Sequence, residues 1–319
     1  MRPFVKSVIS VAQLPFLDSL VIKLFRLQHR GVIRVSGLLR SVLLEALSND
    51  PMRGQSNLPE IDLVIPFAEK DQELIRLAVL GALNSSRNPV VNVVLVSPKG
   101  EASIEADLLL SLKADVRDYR ATLVVLSDAE VLSEGLAKVL SQSGLKARNE
   151  GWLRQQLIKF LCVLSSPRKA CLIVDADTLL LYPKTWLASD GVQVLAPAEW
   201  FRGFWTDDVE KFLGVPKRLP FSYITHHQLM QKDIVQALLG ANGERLADWL
   251  ETADTVVSEY DSYGSFVETS YPERAMFCRF GNSEAPRKVL PNRDSYSHVR
   301  ERLLAGFPRS NSISFHHYL

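Results

Sequence analysis

Two aspartates stand two residues apart directly after an apolar run, in the segment Ala170-Cys-Leu-Ile-Val-Asp175-Ala-Asp177. A short turn at the end of a strand can point both carboxylates at one hard divalent cation. Mg²⁺ and Mn²⁺ favour such oxygen ligands and keep coordination positions open for substrate phosphates. The motif therefore predicts a metal centre formed by Asp175 and Asp177. The simpler alternative is that the two side chains only cap a turn.

A strand followed by Asp-x-Asp also occurs in haloacid-dehalogenase-type phosphatases, in which the first aspartate is the nucleophile. That motif has Thr or Val at the fourth position after the first aspartate. Here Thr178 stands at the third position and Leu179 at the fourth. The motif also lies in the middle of the chain rather than near the start of a domain. A Mg²⁺-dependent phosphohydrolase with Asp175 as nucleophile therefore remains an alternative.

Strand and helix patterns alternate around the motif. The predicted strands are 61–65, 90–96, 121–126 and 170–174, and the predicted helices are 71–83 and 152–164. Near-continuous apolar strands that alternate with helices predict an α/β fold, with a mostly parallel sheet covered on both faces. In such sheets ligands bind beyond the C-terminal ends of the strands, where Asp175 and Asp177 stand.

Three regions of the chain differ in composition. Residues 1–57 contain two amphipathic segments and a linker rich in turn-forming residues, and residues 58–200 carry the alternating strand and helix patterns. Residues 201–319 are richer in aromatic residues, histidine and polar loops. That composition suits sugar binding, because sugars stack on aromatic rings and form hydrogen bonds with polar rims.

The overall composition is that of an ordinary globular protein. Of 319 residues, 47% are hydrophobic and 23% are charged, and the net charge is +1. So small a charge argues against a nucleic-acid binder that neutralises many phosphates. The three cysteines form no C-x-x-C pair, which favours a reducing compartment. No apolar stretch reaches the roughly 18 residues of a membrane span, and the N-terminus lacks a convincing signal peptide, so we expect a cytoplasmic protein.

The order of these features resembles GT-A-type glycosyltransferases. The features are the strand at 61–65, a helix with Trp152-Leu-Arg-Gln155-Gln156-Leu-Ile-Lys159, and the strand-end Asp-Ala-Asp. The resemblance covers roughly residues 60–319 and is closest to bacterial members encoded with surface-polysaccharide genes. It implies a GT-A-like, Rossmann-type sheet followed by an α+β acceptor lobe. It also implies transfer of a sugar from a nucleotide-sugar, or a related activated donor, to a hydroxyl of a glycan or lipid-linked acceptor, with Mn²⁺ or Mg²⁺ as cofactor.

The resemblance also implies a set of donor-site residues. These are Pro66, Phe67, Asp71, Gln155, Gln156, Lys159 and Asp175. For Asp71 the alternative is an acid favoured by the dipole at a helix N-terminus. For the two glutamines and Lys159, which can share one helical face, the alternative is a solvated surface. His226 and His227 either contact a phosphate or sugar or cap the helix that follows them.

In the resembled family, a residue near the C-terminus completes the metal shell, and an acid on the acceptor side serves as general base. His316 or His317 is the candidate ligand, with an unstructured tail as the alternative. Glu259, in a predicted polar-aromatic loop, is the candidate base, and Asp261 is the reserve. A non-catalytic, degenerate sugar-binding subunit is the third functional class that the sequence allows.

The first 50 residues carry seven basic and three acidic side chains. An amphipathic helix with such a basic excess can lie on an anionic membrane, which would give residues 1–57 a peripheral membrane contact. The alternative is that its leucines pack onto the catalytic domain as ordinary core. The two hypotheses predict opposite results when the segment is removed.

Overall fold

A computed structural model describes most of the chain beyond residue 55. The described residues are 56–134, 136, 140, 150–198, 209–214, 217, 222–241, 243–251, 258–278, 280–287, 295–308 and 310–315. The predicted N-terminal extension, up to residue 55, lies outside them, and so do the candidate metal ligands His316 and His317. Within the described residues, no helix has the length and hydropathy needed to cross a membrane.

The described elements alternate between strands and helices over the first half of the fold. The strands are β1 (Ile61–Pro66), β2 (Val90–Ser97), β3 (Thr122–Ser127), β4 (Ala170–Val174), β5 (Thr178–Leu180), β6 (Gln193–Leu195), β7 (His227–Gln231), β8 (Ala275–Phe277), β9 (Asn282–Glu284) and β10 (Ser312–Ser314). The helices are α1 (Gln72–Ser85), α2 (Ala106–Asp118), α3 (Asp128–Val131), α4 (Glu150–Ser165), α5 (Lys232–Leu239), α6 (Leu246–Glu251), α7 (Glu259–Ser270) and α8 (Tyr296–Gly306).

Five strands form the central sheet in the order β3-β2-β1-β4-β7. The first four are parallel, and β7 adds an antiparallel edge beside β4. Alternate residues of β1 point to opposite faces, so Leu63 and Ile65 pack with α1 and α2, whereas Val64 packs with α4 and α5. The predicted mixed α/β architecture, a mostly parallel sheet with helices on both faces, is confirmed.

A small second sheet, with strand order β5-β10-β9, lies directly after the aspartate motif. Its strand β10 comes from the C-terminal end of the chain and pairs antiparallel with β5, so that Ser314 stands opposite Thr178. The hydroxyls of these two residues share a buried hydrogen bond of 2.9 Å. The C-terminal segment is thereby fixed next to the Asp-Ala-Asp turn, although about 140 residues separate them along the chain.

The region after residue 200 contributes to the central sheet through β7. The predicted division at residue 200 therefore does not coincide with an edge of that sheet. The close fit of this region is visible at Gly264 of α7, where an added Cβ would come within 2.3 Å of the Tyr223 ring. The first turn of α7 also reaches the residue after β4, because the Tyr260 hydroxyl donates to Asp175 Oδ1 at 3.0 Å.

Candidate active site

The Asp-Ala-Asp motif forms a turn at the C-terminal end of β4. The Asp175 carbonyl accepts a 2.9 Å hydrogen bond from the Thr178 amide, which closes the turn. The Asp175 amide donates to the His226 carbonyl at 2.9 Å, and the Phe315 amide donates to the Asp177 carbonyl at 2.8 Å. The turn is therefore held on one side by the residue before β7 and on the other by the end of β10.

Asp175, Asp177 and His226 form the candidate metal centre. Each offers one ligand atom, and the three atoms lie within 4.8 Å of one another. Two carboxylates suit Mg²⁺ or Mn²⁺, and the imidazole is the least suited of the three to Mg²⁺. The donor set fits a divalent cation.

The backbone at His226 adopts a conformation that is uncommon for a residue with a side chain. Its φ is 62°, in the left-handed region. Such conformations cost about 1–3 kcal/mol and persist where the surrounding structure enforces them, often at functional sites. Here the strained residue is the one whose ring nitrogen lies 3.3 Å from Asp175 Oδ2.

A buried lysine neutralises the inner side of this centre. Lys159 of α4 places its Nζ 2.6 Å from Asp175 Oδ1 and 2.6 Å from Glu259 Oε1. The Tyr260 hydroxyl also donates to Asp175 Oδ1, at 3.0 Å. Because Oδ1 is occupied by these two donors, Oδ2 is the oxygen that Asp175 presents toward His226.

These contacts shift the pKa values of the buried groups. Burial works against the charged form of Lys159, but Asp175 and Glu259 outweigh it and raise the lysine pKa. Burial alone would raise the pKa of Asp175, yet Lys159 and His226 hold it below its usual range. Burial also opposes the imidazolium of His226, and Asp175 with Asp177 raises its pKa nevertheless. For Glu259, burial exceeds the effect of Lys159, and the pKa is raised.

The prediction that Glu259 and Asp261 lie in a polar-aromatic loop is wrong. Both lie in the first turn of α7 and are buried, with exposed fractions of 2% and 1%. The Asp261 carboxylate accepts from Lys217 Nζ at 3.0 Å and from the Tyr223 amide at 2.6 Å. A general base must come within hydrogen-bond reach of its substrate, and neither acid is among the residues that line the two cavities described below. In the described structure both carboxylates are engaged by buried lysines.

A cavity of about 620 Å³ opens above the metal centre, and we call it the larger cavity. Most of the predicted donor-site residues line it, together with the predicted metal ligand Asp177; the donor-site residues are Pro66, Phe67, Asp71, Gln155, Asp175 and His226. Gln156 and Lys159 do not, because both point into the protein, where Gln156 Oε1 accepts from the Glu259 amide at 2.9 Å. The expected common face of the three α4 side chains is therefore wrong.

Cationic and aromatic side chains that the sequence analysis did not assign also line the larger cavity. The cations are Lys70, Arg154 and Arg287, and the aromatic residue is Trp152, which remains 37% exposed. Arg287 pairs with the Asp71 carboxylate and donates to the Lys70 carbonyl at 2.7 Å. Asp71 is therefore the ion-pair partner of Arg287, which lies 216 residues further along the chain. No local pattern in the sequence could have predicted that pair.

The two adjacent histidines have different surroundings. His226 lines the larger cavity, whereas His227 is buried within β7 between Trp186 and Phe280. Burial lowers the pKa of His227 to about 3, so this ring is neutral. The following helix α5 begins at Lys232, with Gln231 as its N-terminal flanking residue. Neither histidine caps it.

No protein-family model and no curated protein sequence matches the chain. Among solved structures, mouse xyloside xylosyltransferase 1 is 14% identical, with a TM-score of 0.41 over 81% of this chain and 98% of that one. The galactosyltransferase LgtC, solved with donor and acceptor sugar analogues, is 10% identical, with a TM-score of 0.44 over 80% of this chain and 87% of its own. The bifunctional glycosyltransferase WbbM is 11% identical, with a TM-score of 0.47 over 84% of this chain and 47% of its own.

These three structures are of glycosyltransferases, the class that the sequence resembles. Identities of 10–14% and TM-scores below 0.5 are too low to establish a shared activity. The chemistry of this chain has to be inferred from its own site.

Proposed function

We propose that the chain is a divalent-metal-dependent glycosyltransferase that uses a nucleoside-diphosphate sugar or a related activated donor. The observation that carries the proposal is the cluster of Asp175, Asp177 and His226 at the end of a parallel strand, on the wall of a cavity of about 620 Å³. Open α/β sheets bind ligands at this edge. Cavities of this volume accommodate a ligand of nucleotide size.

In this proposal Asp175, Asp177 and His226 hold Mn²⁺ or Mg²⁺. When bound, the ion would stabilise the negative charge that develops on the departing diphosphate. Lys159 compensates the charge on the inner oxygen of Asp175 and helps to hold the pKa of that carboxyl below its usual range. Lys70 and Arg154, on the wall of the same cavity, supply positive charge for the phosphates.

The nucleobase would lie against Trp152. A large aromatic side chain that remains 37% exposed while lining a cavity offers a stacking surface. Pro66 and Phe67, which also line the cavity, give it an apolar wall. Gln155, whose Nε2 donates to the Pro66 carbonyl at 3.3 Å, supports the shape of that wall.

The fourth protein ligand in the proposal is His316 or His317. Supporting it is the hydrogen bond from the Phe315 amide to the Asp177 carbonyl, because the chain reaches the metal motif one residue before His316. The acceptor would be a hydroxyl of a glycan or lipid-linked sugar in bacterial surface-polysaccharide synthesis. We assign the enzyme to the cytoplasm, with residues 1–57 as a peripheral contact to an anionic membrane.

The experiment that tests the proposal is a screen of nucleotide-sugars with Mn²⁺, Mg²⁺ or EDTA, followed by thermal unfolding and by donor hydrolysis. Metal-dependent stabilisation by one nucleoside diphosphate, with slow hydrolysis of its sugar, is the expected result. Release of phosphate from simple phosphoesters, without any response to nucleotide-sugars, would instead favour a phosphohydrolase with Asp175 as nucleophile. Sugar binding without turnover of any donor would favour the non-catalytic subunit.

A further inference from the structure

A second cavity of about 420 Å³ lies on the other side of His226, and we call it the smaller cavity. Besides His226, its wall includes Ala198, Ile224, Phe280, Asn282 and Glu284. His226 is the residue that the linings of the two cavities share in the described structure. A molecule in the smaller cavity would therefore adjoin the same metal ligand as a molecule in the larger one.

The hydrogen bonds of Asn282 leave its amide nitrogen available. Its Oδ1 accepts from the hydroxyls of Ser312, at 2.8 Å, and Ser314, at 3.2 Å. A carbonyl oxygen has two lone pairs, so both are used, and what the side chain can still offer is its two N–H donors. Ser314 is itself bonded to the Thr178 hydroxyl beside the Asp-Ala-Asp turn. A chain of hydrogen bonds thus fixes Asn282 relative to the metal motif.

Glu284 stands two residues after Asn282 in β9, so the two side chains project from the same face of that strand. Glu284 is exposed. Among the described residues that line the smaller cavity, it is the one with a carboxylate. The smaller cavity therefore combines a fixed amide donor and a carboxylate acceptor with apolar surface from Ala198 and Ile224. A sugar, with hydroxyls on its edges and apolar ring faces, matches that combination.

We propose that the smaller cavity binds the acceptor sugar, with Asn282 and Glu284 as its binding residues. The Asn282 amide donates to one acceptor hydroxyl, and the Glu284 carboxylate accepts from another. The two cavities share His226 in their linings, so a hydroxyl of this sugar would meet the donor beside that residue. This assignment rests on the proposed function, because it takes the larger cavity as the donor site.

The test uses saturation-transfer NMR on the full chain with diamagnetic Mg²⁺, UDP or GDP, and methyl glycosides of glucose, galactose, mannose and N-acetylglucosamine. At least one glycoside should show saturation transfer from the wild-type protein. Glu284→Gln, which preserves shape, should weaken its binding by about tenfold, the expected loss for a hydrogen bond to a charged group. Glu301→Gln, at an exposed position of α8, is the matched control and should bind normally.

Nucleotide binding by the same variants separates this inference from the proposed function. Glu284→Gln and Asn282→Ala should still bind UDP or GDP with Mn²⁺, because neither side chain lines the larger cavity. Unchanged glycoside binding in both variants, or no saturation transfer to any glycoside by a wild type that binds nucleotide, would overturn the acceptor assignment. A wild type that binds no nucleotide with Mn²⁺ would contradict the proposed function itself.

Discussion

Lys159 donates a hydrogen bond of 2.6 Å from its ammonium to the inner oxygen of Asp175, within the buried side of the candidate metal centre. The same ammonium reaches the Glu259 carboxylate at 2.6 Å and lies 4.2 Å from the centre of the Tyr260 ring. One buried cation therefore serves two carboxylates from different parts of the chain. This triad connects the stability of the fold with the geometry of the metal site.

Replacing Lys159 with methionine leaves two buried carboxylates without their cation. We expect Lys159→Met to lower the free energy of unfolding by about 3–5 kcal/mol, the usual cost of breaking a buried ion pair. Adding Glu259→Gln should restore part of the loss, since one uncompensated charge is removed. Urea unfolding measures both variants. Lys99→Met, which removes an exposed ion pair with Glu69, should change the midpoint little.

Equal destabilisation of the single and double variants would contradict the assignment of Glu259 as a structural partner of Lys159. A variant Glu259→Gln that keeps its fold and donor binding but loses about 10²–10⁴-fold in turnover would restore the interpretation of Glu259 as a general base.

His226 should make the stability of the metal-free protein depend on pH. Its pKa in the folded state is raised, so its contribution is fully present below the ordinary histidine pKa of about 6.5. It is lost as the pH rises through the folded-state pKa. In EDTA, the stabilisation that His226 provides should therefore decrease as the pH rises above about 6.5, and thermal unfolding at several pH values measures this decrease. His226→Gln should remove that part of the pH profile, and an identical profile in both proteins would count against the Asp175–His226 contact.

Metal binding should have the opposite pH dependence. A ligating imidazole must be neutral, so protons compete with the cation for His226. The Mn²⁺ affinity of the wild type should rise as the pH increases through the raised folded-state pKa of His226, and then level off. In His226→Gln the affinity should be lower and should lack this rise. Calorimetric titration at several pH values distinguishes the two cases.

Trp152 should contribute to donor affinity by stacking on the nucleobase. Base–aromatic stacking is worth about 1–3 kcal/mol by alanine substitution, or roughly 5- to 150-fold in affinity. Trp152→Ala should weaken nucleoside-diphosphate binding within that range, and Trp152→Phe should retain most of it. Tyr182 is equally exposed, at 37%, and does not line the larger cavity. Tyr182→Ala is therefore the control. An equal loss of nucleotide affinity in Trp152→Ala and Tyr182→Ala would contradict stacking of the base on Trp152.

The two hypotheses for residues 1–57 predict different outcomes of truncation. If the segment is a membrane contact, the chain from residue 58 onward should stay folded and hydrolyse the donor, and it should no longer co-sediment with anionic liposomes. Each basic residue near such a surface contributes about 1 kcal/mol. If the segment is core, the shortened chain should aggregate. Equal liposome binding before and after truncation would rule out the membrane contact.

The strands, turns and helices that are determined by neighbouring residues could be predicted from the sequence. The apolar run 170–174 and the two aspartates after it define a strand and a turn locally, and the structure contains both. The helical periodicity of 152–164 likewise corresponds to α4. These elements could be predicted because apolar spacing reports directly which faces are buried.

The rest of the site depends on contacts between distant segments. Lys159 and Glu259 are 100 residues apart, and Asp71 and Arg287 are 216 apart. Residues 259–270 contain Ser, Gly and Asp, which are typical of loops, yet they form a helix whose N-terminal Ser258 accepts a hydrogen bond from the Asp261 amide. Burial of that helix against α4 outweighs its weak local preference.

The positions of His226 and His227 could not be predicted from local sequence patterns either. Gln228 and Gln231 give β7 a polar sequence, but the strand is buried because it pairs with β4 and is covered by helix packing. Only that pairing places His226 beside Asp175. The sequence could identify a pair of histidines, but it could not determine which one faces the metal centre.

The central claim is that Asp177 is a ligand of a catalytic metal, and calorimetry tests it most directly. Mn²⁺ is titrated, with the nucleoside diphosphate from the screen, into the wild type, Asp177→Asn and the exposed-site control Asp118→Asn, and donor hydrolysis is measured on the same samples. We expect Mn²⁺ binding and EDTA-sensitive hydrolysis in the wild type and Asp118→Asn, and loss of both in a folded Asp177→Asn. Equal Mn²⁺ affinity in all three proteins, or hydrolysis that EDTA does not affect, would contradict it.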